Sequence, residues 1–277
     1  MVYADLHAHT TNSDGELTLD TLPDAARAAD VSVVAITDHD RLHPDLHDPV
    51  TELDDLTGCR DGSDPDLTVV HGIELRVEAP EERVDLLGYG VTRTPELEAE
   101  IERLQADRRT RGRRIIRNVE SCLDIDLDLE ARDGIGRPHV ARAVVAHPDT
   151  AYTEIGQVFD DLIGDGGPCF VARDVPDFER GRELLADACG LVGLAHPLRY
   201  DDPESALELT ADLDAVERFY PYDRPVGNAP TDDGTDLVDA AIDAYDLLPT
   251  GGSDAHATTL GKAGLTESQY EAVARRL

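Results

Sequence analysis

Lysine is almost missing from this chain of 277 residues: Lys262 is its one example, and arginine supplies every other strongly basic side chain. No apolar run approaches the ~20 residues that a bilayer-spanning helix needs, so a membrane-spanning protein is excluded by this reading. The opening MVYADLHAHT carries neither a basic segment nor an apolar one, so no secretory signal is expected and the cytoplasm is the expected compartment. Four cysteines, Cys59, Cys122, Cys169 and Cys189, form no CxxC pair and lie far apart, which predicts reduced thiols and no disulfide framework. Low-complexity tracts are absent too, and with them the case for a disordered acidic tail.

What the chain has in excess is acid. Fifty-nine Asp and Glu face 25 Lys and Arg, a formal net charge of −34, and aspartate outnumbers glutamate 39 to 20. The acids are spread evenly, in the style of proteins from cells that hold molar salt, where charge keeps a protein soluble and self-repulsion is screened. An acidic surface built to bind a basic protein would show blocks of charge instead. Hydrophobic residues still form 40% of the sequence, enough for a sizeable core.

Apolar segments at 2–6 and 31–37 flank a helical stretch that begins near Thr18, and further strands are expected at 67–75, 84–91, 190–195, 215–220 and 247–251. Helical patterns near 180–189, 203–211 and 232–245 fall between them. This alternation predicts an α/β fold on a parallel sheet, and seven strands with few hairpin signals favour a TIM-like barrel over an open sheet. One long charged helix over 95–123 and two more over 138–165 break the rhythm. Residues 95–172 therefore read as a helical insertion subdomain in a barrel domain formed by 1–94 and 173–277. The acidic stretch 43–66 holds a short helix at most and is otherwise loop.

Chemically capable residues gather just past the expected strands, where βα barrels place their sites. The first strand ends in Asp5-Leu6-His7-Ala8-His9-Thr10, and the period of two sends His7 and His9 to one side, both within reach of one ion. Asp14 follows. Later strands end in Thr37-Asp38-His39-Asp40, His71-Gly72-Ile73-Glu74, Ala195-His196-Pro197 and Gly252-Ser253-Asp254-Ala255-His256. One HxH is weak evidence, whereas five such clusters after separate strands point to a multinuclear metal site, with Asp5, Asp38 and Asp40 placed to orient the imidazoles. A phosphate ester suits such a centre, because cations neutralise it and lower the pKa of bound water towards ~7.

In their order and spacing, DLHAHT, TDHD, GIE, AHP and GSDAH resemble the polymerase and histidinol phosphatase (PHP) family of metal-dependent phosphoesterases. GRPHVARAVV (136–145) and VFDDLIGDGGPCFV (158–171) are similar to the subgroup that contains ribonuclease AM and nucleoside 3′,5′-bisphosphate phosphatases. The resemblance implies a distorted (β/α)7 barrel with two or three divalent ions, Mn, Fe, Zn or Mg. It implies that His7, His9, Glu74 and Asp254 hold the first, that Glu74 with His196 holds the second, and that Asp14, His39 and His256 hold the third. A further family ligand, a His, is matched here by Asp85 in VDLLGY, a harder donor that favours Mn or Mg over Zn. Glu74, His139 and Asp254 are then the expected catalytic residues, with Arg137, His139 and Arg199 as substrate contacts.

The expected activity is hydrolysis of phosphate monoesters of small nucleotides by a metal-activated hydroxide. A 5′-3′ exoribonuclease and a non-catalytic metal-binding module are the alternatives, while DNA-specific binding and membrane partners are not expected. Amidohydrolase-like C–N hydrolysis lacks its metal-bridging lysine, since Lys262 follows the last motif. The densest basic run, Arg108, Arg109, Arg111, Arg113, Arg114 and Arg117, is expected to pair with acids such as Glu98 and Glu102 on a solvated helix face. The alternative is a phosphate or RNA clamp, but no aromatic interleaves the run to stack bases. His43, His47, His71 and His147 read as incidental.

Overall fold

The computed structural model describes residues 1–53, 67–222 and 234–277 of the chain, so Cys59 and the rest of the acidic stretch after Leu53 lie outside the described residues. Two compact units result, Met1–Glu98 with Pro176–Leu277, and Ala99–Val175.

The first unit is built on one curled mixed sheet. Its strands are β1 (Ala4–Ala8), β2 (Val33–Ile36), β3 (Val50–Glu52), β4 (Thr68–Glu78), β5 (Arg83–Tyr89), β6 (Leu191–Leu194), β7 (Ala215–Phe219) and β8 (Leu248–Gly251). The order is β1-β2-β4-β5-β6-β7-β8, with β3 attached to β4. β1, β2 and β6 are buried along their whole length, as expected of strands covered on both faces. At the end of β1 Ala8 bridges Ala255, just past β8, so the first and last strands meet.

Two sequence expectations need correction here. The sheet is not all parallel, because β5 runs antiparallel to both β4 and β6. β4 and β5 form a hairpin closed by the Ala79 N–H on the Glu82 carbonyl at 3.0 Å, a turn that carries none of the Asn-Gly or Asp-Gly signals of tight hairpins. The stretch after residue 43 also contributes a strand, β3, whose residues are exposed or half-exposed and so leave no apolar pattern to read.

Around the sheet lie α1 (Leu22–Ala29), α2 (Pro95–Leu123), which continues into the second unit, and then α5 to α8 of the first unit at Phe178–Ala188, Pro203–Glu208, Thr235–Tyr245 and Glu267–Ala274. The caps use the abundant acid. Asp177 accepts from the Arg180 N–H at 2.8 Å, and Asp30 and Asp246 end α1 and α7 at φ 56° and 54°, a left-handed position where glycine is usual and aspartate is tolerated. The unit's two cores include Leu17, Leu22, Ile36 and Val69, and Leu6, Val33, Leu87 and Leu191.

The second unit holds most of α2, together with α3 (Arg137–Ala146), α4 (Ile155–Val158) and a single π-turn over Phe159–Ile163. They close on their own core of Ile115, Val119, Val140, Val144, Leu162 and Ile163.

Candidate metal centre

At the sheet end where β1, β2, β6 and β8 hand over to loops, nine imidazoles and carboxylates converge; Glu74 and Asp85 come from within β4 and β5, so the strand expected to end at Glu74 in fact continues to Glu78. Three groups each offer donor atoms within 4.8 Å of one another: His7, His9 and Asp254; His9, Asp14, His39 and His256; and Glu74, Asp85 and His196. These are the nine positions named from the sequence. His7, His9 and Glu74 are buried almost completely. Loop strain gathers here as well, since Asp40, His196 and Asp254 adopt φ of 51°, 27° and 47°. For His196 this is an uncommon backbone, of the kind structures retain at working sites.

Glu74 stands at the middle. Its Oε2 lies 3.5 Å from His7 Nε2, 3.4 Å from His9 Nε2 and 2.8 Å from His39 Nδ1, and its Oε1 lies 3.0 Å from His196 Nε2. Asp254 Oδ1 lies 3.5 Å from His7 Nε2, 3.1 Å from His9 Nε2 and 3.3 Å from His256 Nδ1. Asp14 Oδ1 sits 3.4 Å from His256 and 3.8 Å from His39.

Burial works against charge on Glu74, Asp254, His39 and His9, and their mutual field decides the outcome. Burial alone would raise Glu74, yet His39 and His7 hold it well below the usual carboxylate range; Asp254 is held down in the same way by His7 and His9. His39 is pushed up to about 9 against burial by Glu74 and Asp14, while His9 is lowered by burial and by its neighbours His39 and His256.

The donor set fits divalent ions. His7 Nε2 and Glu74 Oε2 are buried, face the centre of the cluster and make no hydrogen bond of proper geometry, a costly arrangement unless a cation shares the lone pairs. Mixed imidazole and carboxylate donors suit Mn, Fe or Zn.

The carboxylate that orients a ligand imidazole is Glu217, which the sequence reading passed over. Fully buried on β7, it faces His7 Nδ1 at 3.0 and 3.2 Å and accepts from the His196 N–H at 2.8 Å. A proton on His7 Nδ1 donated to Glu217 leaves Nε2 as the free lone pair. Its only signal in the sequence is an acid two residues into a strand that opens on apolar Ala215 and Val216.

Asp5 and Asp38 do not play that part. Asp5 holds the Ser253 N–H and hydroxyl and the Gly261 N–H, and Asp38 holds the Thr10 N–H and hydroxyl and Ser13, so they fix the loops that carry the ligands. Asp40 accepts from the Arg76 N–H at 3.1 Å. Asp85 lies 3.7 Å from His196 Nε2 but is held by Arg76 through two hydrogen bonds of 2.5 and 2.6 Å.

Arg199 donates to Asp254 Oδ2 at 3.0 Å and to the Tyr220 hydroxyl at 2.7 Å, at the edge of the cluster. Arg137 and His139 belong to the second unit. There Arg137 pairs with Asp165 at 2.6 Å and lies against the Phe159 and Phe170 rings, and His139 Nδ1 accepts the Gly136 N–H at 3.1 Å to cap α3.

The solvated arginine face is only partly present. Arg109 pairs with Glu102 and Asp133, but Glu98 pairs with Arg93, outside the run. Arg108 and Arg111 are buried and donate to the carbonyls of Ile135 and Val171, because α2 turns that edge into its unit's core. His71 is buried with neither ring nitrogen hydrogen-bonded, and burial together with Arg93 lowers its pKa to about 3, so it stays neutral.

A phosphoribosyl 1,2-cyclic phosphate 1,2-diphosphodiesterase of Eggerthella lenta is 28% identical over 268 residues, 91% of this chain and 93% of that protein. A 3′,5′-nucleoside bisphosphate phosphatase of Chromobacterium violaceum is 27% identical, covering 75% of this chain and 71% of its own, and a 5′-3′ exoribonuclease of Haemophilus influenzae is 27% identical, covering 71% and 69%. A crystal structure described as a metal-dependent phosphoesterase of Bifidobacterium adolescentis superposes with a TM-score of 0.78 over 99% of this chain and 96% of that one, at 23% identity, and so shares the fold. The PHP domain matches residues 5–164, more than half the length and the first three of the five sequence motifs, through Glu74, and the chain belongs to the PHP-domain family.

Proposed function

We propose that this metal-dependent phosphoesterase, a hydrolase of phosphate ester bonds, removes phosphate monoesters from small nucleotides of the 3′,5′-bisphosphate kind. The observation that carries the reading is the gathering of nine donors in three groups, in which His7 Nε2 and Glu74 Oε2 are buried without hydrogen bonds. Two or three divalent ions held there, Mn, Fe, Zn or Mg, would neutralise the phosphate and bring bound water towards a pKa of ~7.

In the proposed assignment His7, His9, Glu74 and Asp254 would hold one ion, Asp14, His39 and His256 another, and Glu74 with His196 and Asp85 offers the donors for a third. Glu74 and Asp254 act at the reacting end. Asp254 is kept ionised by His7 and His9 and is fixed from behind by Tyr220 and Arg199. The Arg199 guanidinium, tied to Asp254 at the rim, contacts the phosphate.

Arg137 and His139 are proposed as further contacts, His139 also as a catalytic residue, and the support lies within their own unit. They open the first turn of α3, where backbone N–H groups favour an anion. Burial, with Arg173, Arg137 and Arg108 nearby, lowers the Arg111 pKa to about 9, so the local field is positive in a strongly acidic chain. A phosphate would share Arg137 with Asp165. The finer architecture, a distorted (β/α)7 barrel over 1–94 and 173–277 with 95–172 inserted, and a cytoplasmic setting are parts of the same proposal.

The similar proteins named above act on a nucleoside bisphosphate, a cyclic phosphate and RNA, which supports a phosphorylated nucleotide or sugar as the substrate class. The test is a panel of nucleoside 3′,5′-bisphosphates, mononucleotides and 5′-phosphorylated RNA with Mn²⁺ in high salt, using the wild-type protein and Glu74→Gln. Wild type should turn over bisphosphates best, and the variant should lose activity by at least ~10³-fold and lose bound metal while keeping its fold. Full activity and metal content in Glu74→Gln would sink the assignment. Preference for RNA would move the reading to the exoribonuclease.

A further inference from the structure

The third donor group differs from the other two in how its atoms are occupied. In the first, His7 Nε2 is buried without a hydrogen bond, and Glu74 of the third keeps its Oε2 unpaired in the same way. In the third, both Asp85 oxygens are taken by Arg76, Nε on Oδ1 at 2.5 Å and Nη2 on Oδ2 at 2.6 Å, and His196 Nε2 is taken by Glu74 Oε1 at 3.0 Å. This is the fork geometry in which a guanidinium grips a carboxylate most firmly.

The pairing is built into the sheet. Arg76 stands two residues beyond Glu74 on β4 and so on the same face, and Asp85 is its direct partner on β5. Asp85 is buried to 1% exposure while the Arg76 side chain is 34% exposed, so the cation closes the carboxylate off from the open side. An ion bound between Glu74, Asp85 and His196 would have to share a carboxylate that is already neutralised, and to sit beside a fixed positive charge. Burial also favours a carboxylate with one cation over a carboxylate crowded by two.

We infer that Arg76 takes the place of a divalent ion at this position. The chain then holds two ions, one at His7, His9, Glu74 and Asp254 and one at Asp14, His39 and His256, and the guanidinium is the third positive centre facing an anionic substrate. The exchange of a nitrogen donor for Asp85 and the presence of Arg76 are then one change: the carboxylate serves to anchor the guanidinium and is not a metal ligand. This inference rests on the proposed metal-dependent activity, and the experiment separates the two.

The full-length protein is loaded with Mn²⁺, freed of excess metal, counted by plasma mass spectrometry and crystallised for Mn anomalous scattering. Wild type should hold two ions per chain with no anomalous peak beside Asp85 and His196. The double variant Arg76→Ser, Asp85→His should hold a third, and Arg76→Lys, which keeps the charge, should still hold two. A peak beside Asp85 in wild type, or a double variant that is folded by circular dichroism and holds two ions, overturns the inference and leaves the phosphoesterase reading intact. Wild type that holds no ion overturns both. If the double variant does not fold, the wild-type anomalous map decides alone.

Discussion

Glu217 has the narrowest task of any residue in the centre, because it touches two ligand residues and is fully buried among apolar strands. Its charge fixes which His7 nitrogen carries the proton. Glu217→Gln keeps the size and a hydrogen-bonding end but removes the charge, and can present its amide N–H to Nδ1 in the reversed sense. We expect metal affinity and kcat to fall by about 10- to 100-fold with little change in the thermal midpoint, the usual scale for a carboxylate behind a ligand imidazole. Metal titration followed by circular dichroism decides it: unchanged affinity in a folded variant would reduce Glu217 to packing. The eight candidate positions other than Asp85 were legible in the sequence because they lie in or just after short motifs such as HxH and SDAH. Glu217 and the Arg76–Asp85 pair were not. Glu217 meets His7 across 210 residues of sequence, and Arg76 meets Asp85 only once the register of β4 and β5 is known.

At the scale of elements, the centre depends on the last strand lying hard against the first. A Cβ placed on Gly252 would come within 2.3 Å of the His7 nitrogen and 2.4 Å of its Cβ, and a Cβ on Gly251 within 2.5 Å of the Phe219 Cβ. The adjoining segment is stitched to β1 by the His9 N–H on the Ala255 carbonyl at 3.0 Å and the Ala255 N–H on the His7 carbonyl at 3.2 Å. Gly252→Ala must therefore move the backbone that carries the HxH pair. Overpacking of this kind costs about 1–3 kcal/mol, which for a chain of this size lowers the thermal midpoint by roughly 2–5 °C, and metal affinity should fall with it. A melting curve and a metal titration check both; a variant with the wild-type midpoint and affinity would show that the two strands can part without loss. Strand positions could be read because apolar runs mark buried strands. Strand direction in the β4–β5 hairpin could not, since its turn, Ala79–Glu82, is an ordinary polar one, and β3 has no buried side chain to give it a pattern.

Across the whole molecule the net charge of −34 is the dominant electrostatic fact, and 34 is the surplus left after every arginine and the one lysine are counted. Surface pairs such as Arg27 with Asp24 and Arg182 with Glu179 contribute little each and cannot balance it. At 0.1 M salt the Debye length of ~10 Å lets neighbouring acids repel across the surface, and at 1 M it shrinks to ~3 Å. The compact state feels this repulsion more than the expanded one, so the thermal midpoint should rise steeply with KCl up to about 1 M. Any rise that continues beyond 1 M, where screening is nearly complete, belongs to strengthened apolar burial, and should be larger in sulfate than in chloride at equal ionic strength. Salt also bears on the substrate. A long RNA relies on released counterions and loses affinity as salt rises, whereas a mononucleotide held by metal ions and one or two arginines loses little. Activity on a nucleoside 3′,5′-bisphosphate is therefore expected to persist or rise between 0.1 and 3 M KCl, alongside the midpoint. A midpoint that is flat or falling over that range would show that the acids are already compensated within the fold, and activity that collapses while the protein stays folded would point to a substrate bound through many phosphates.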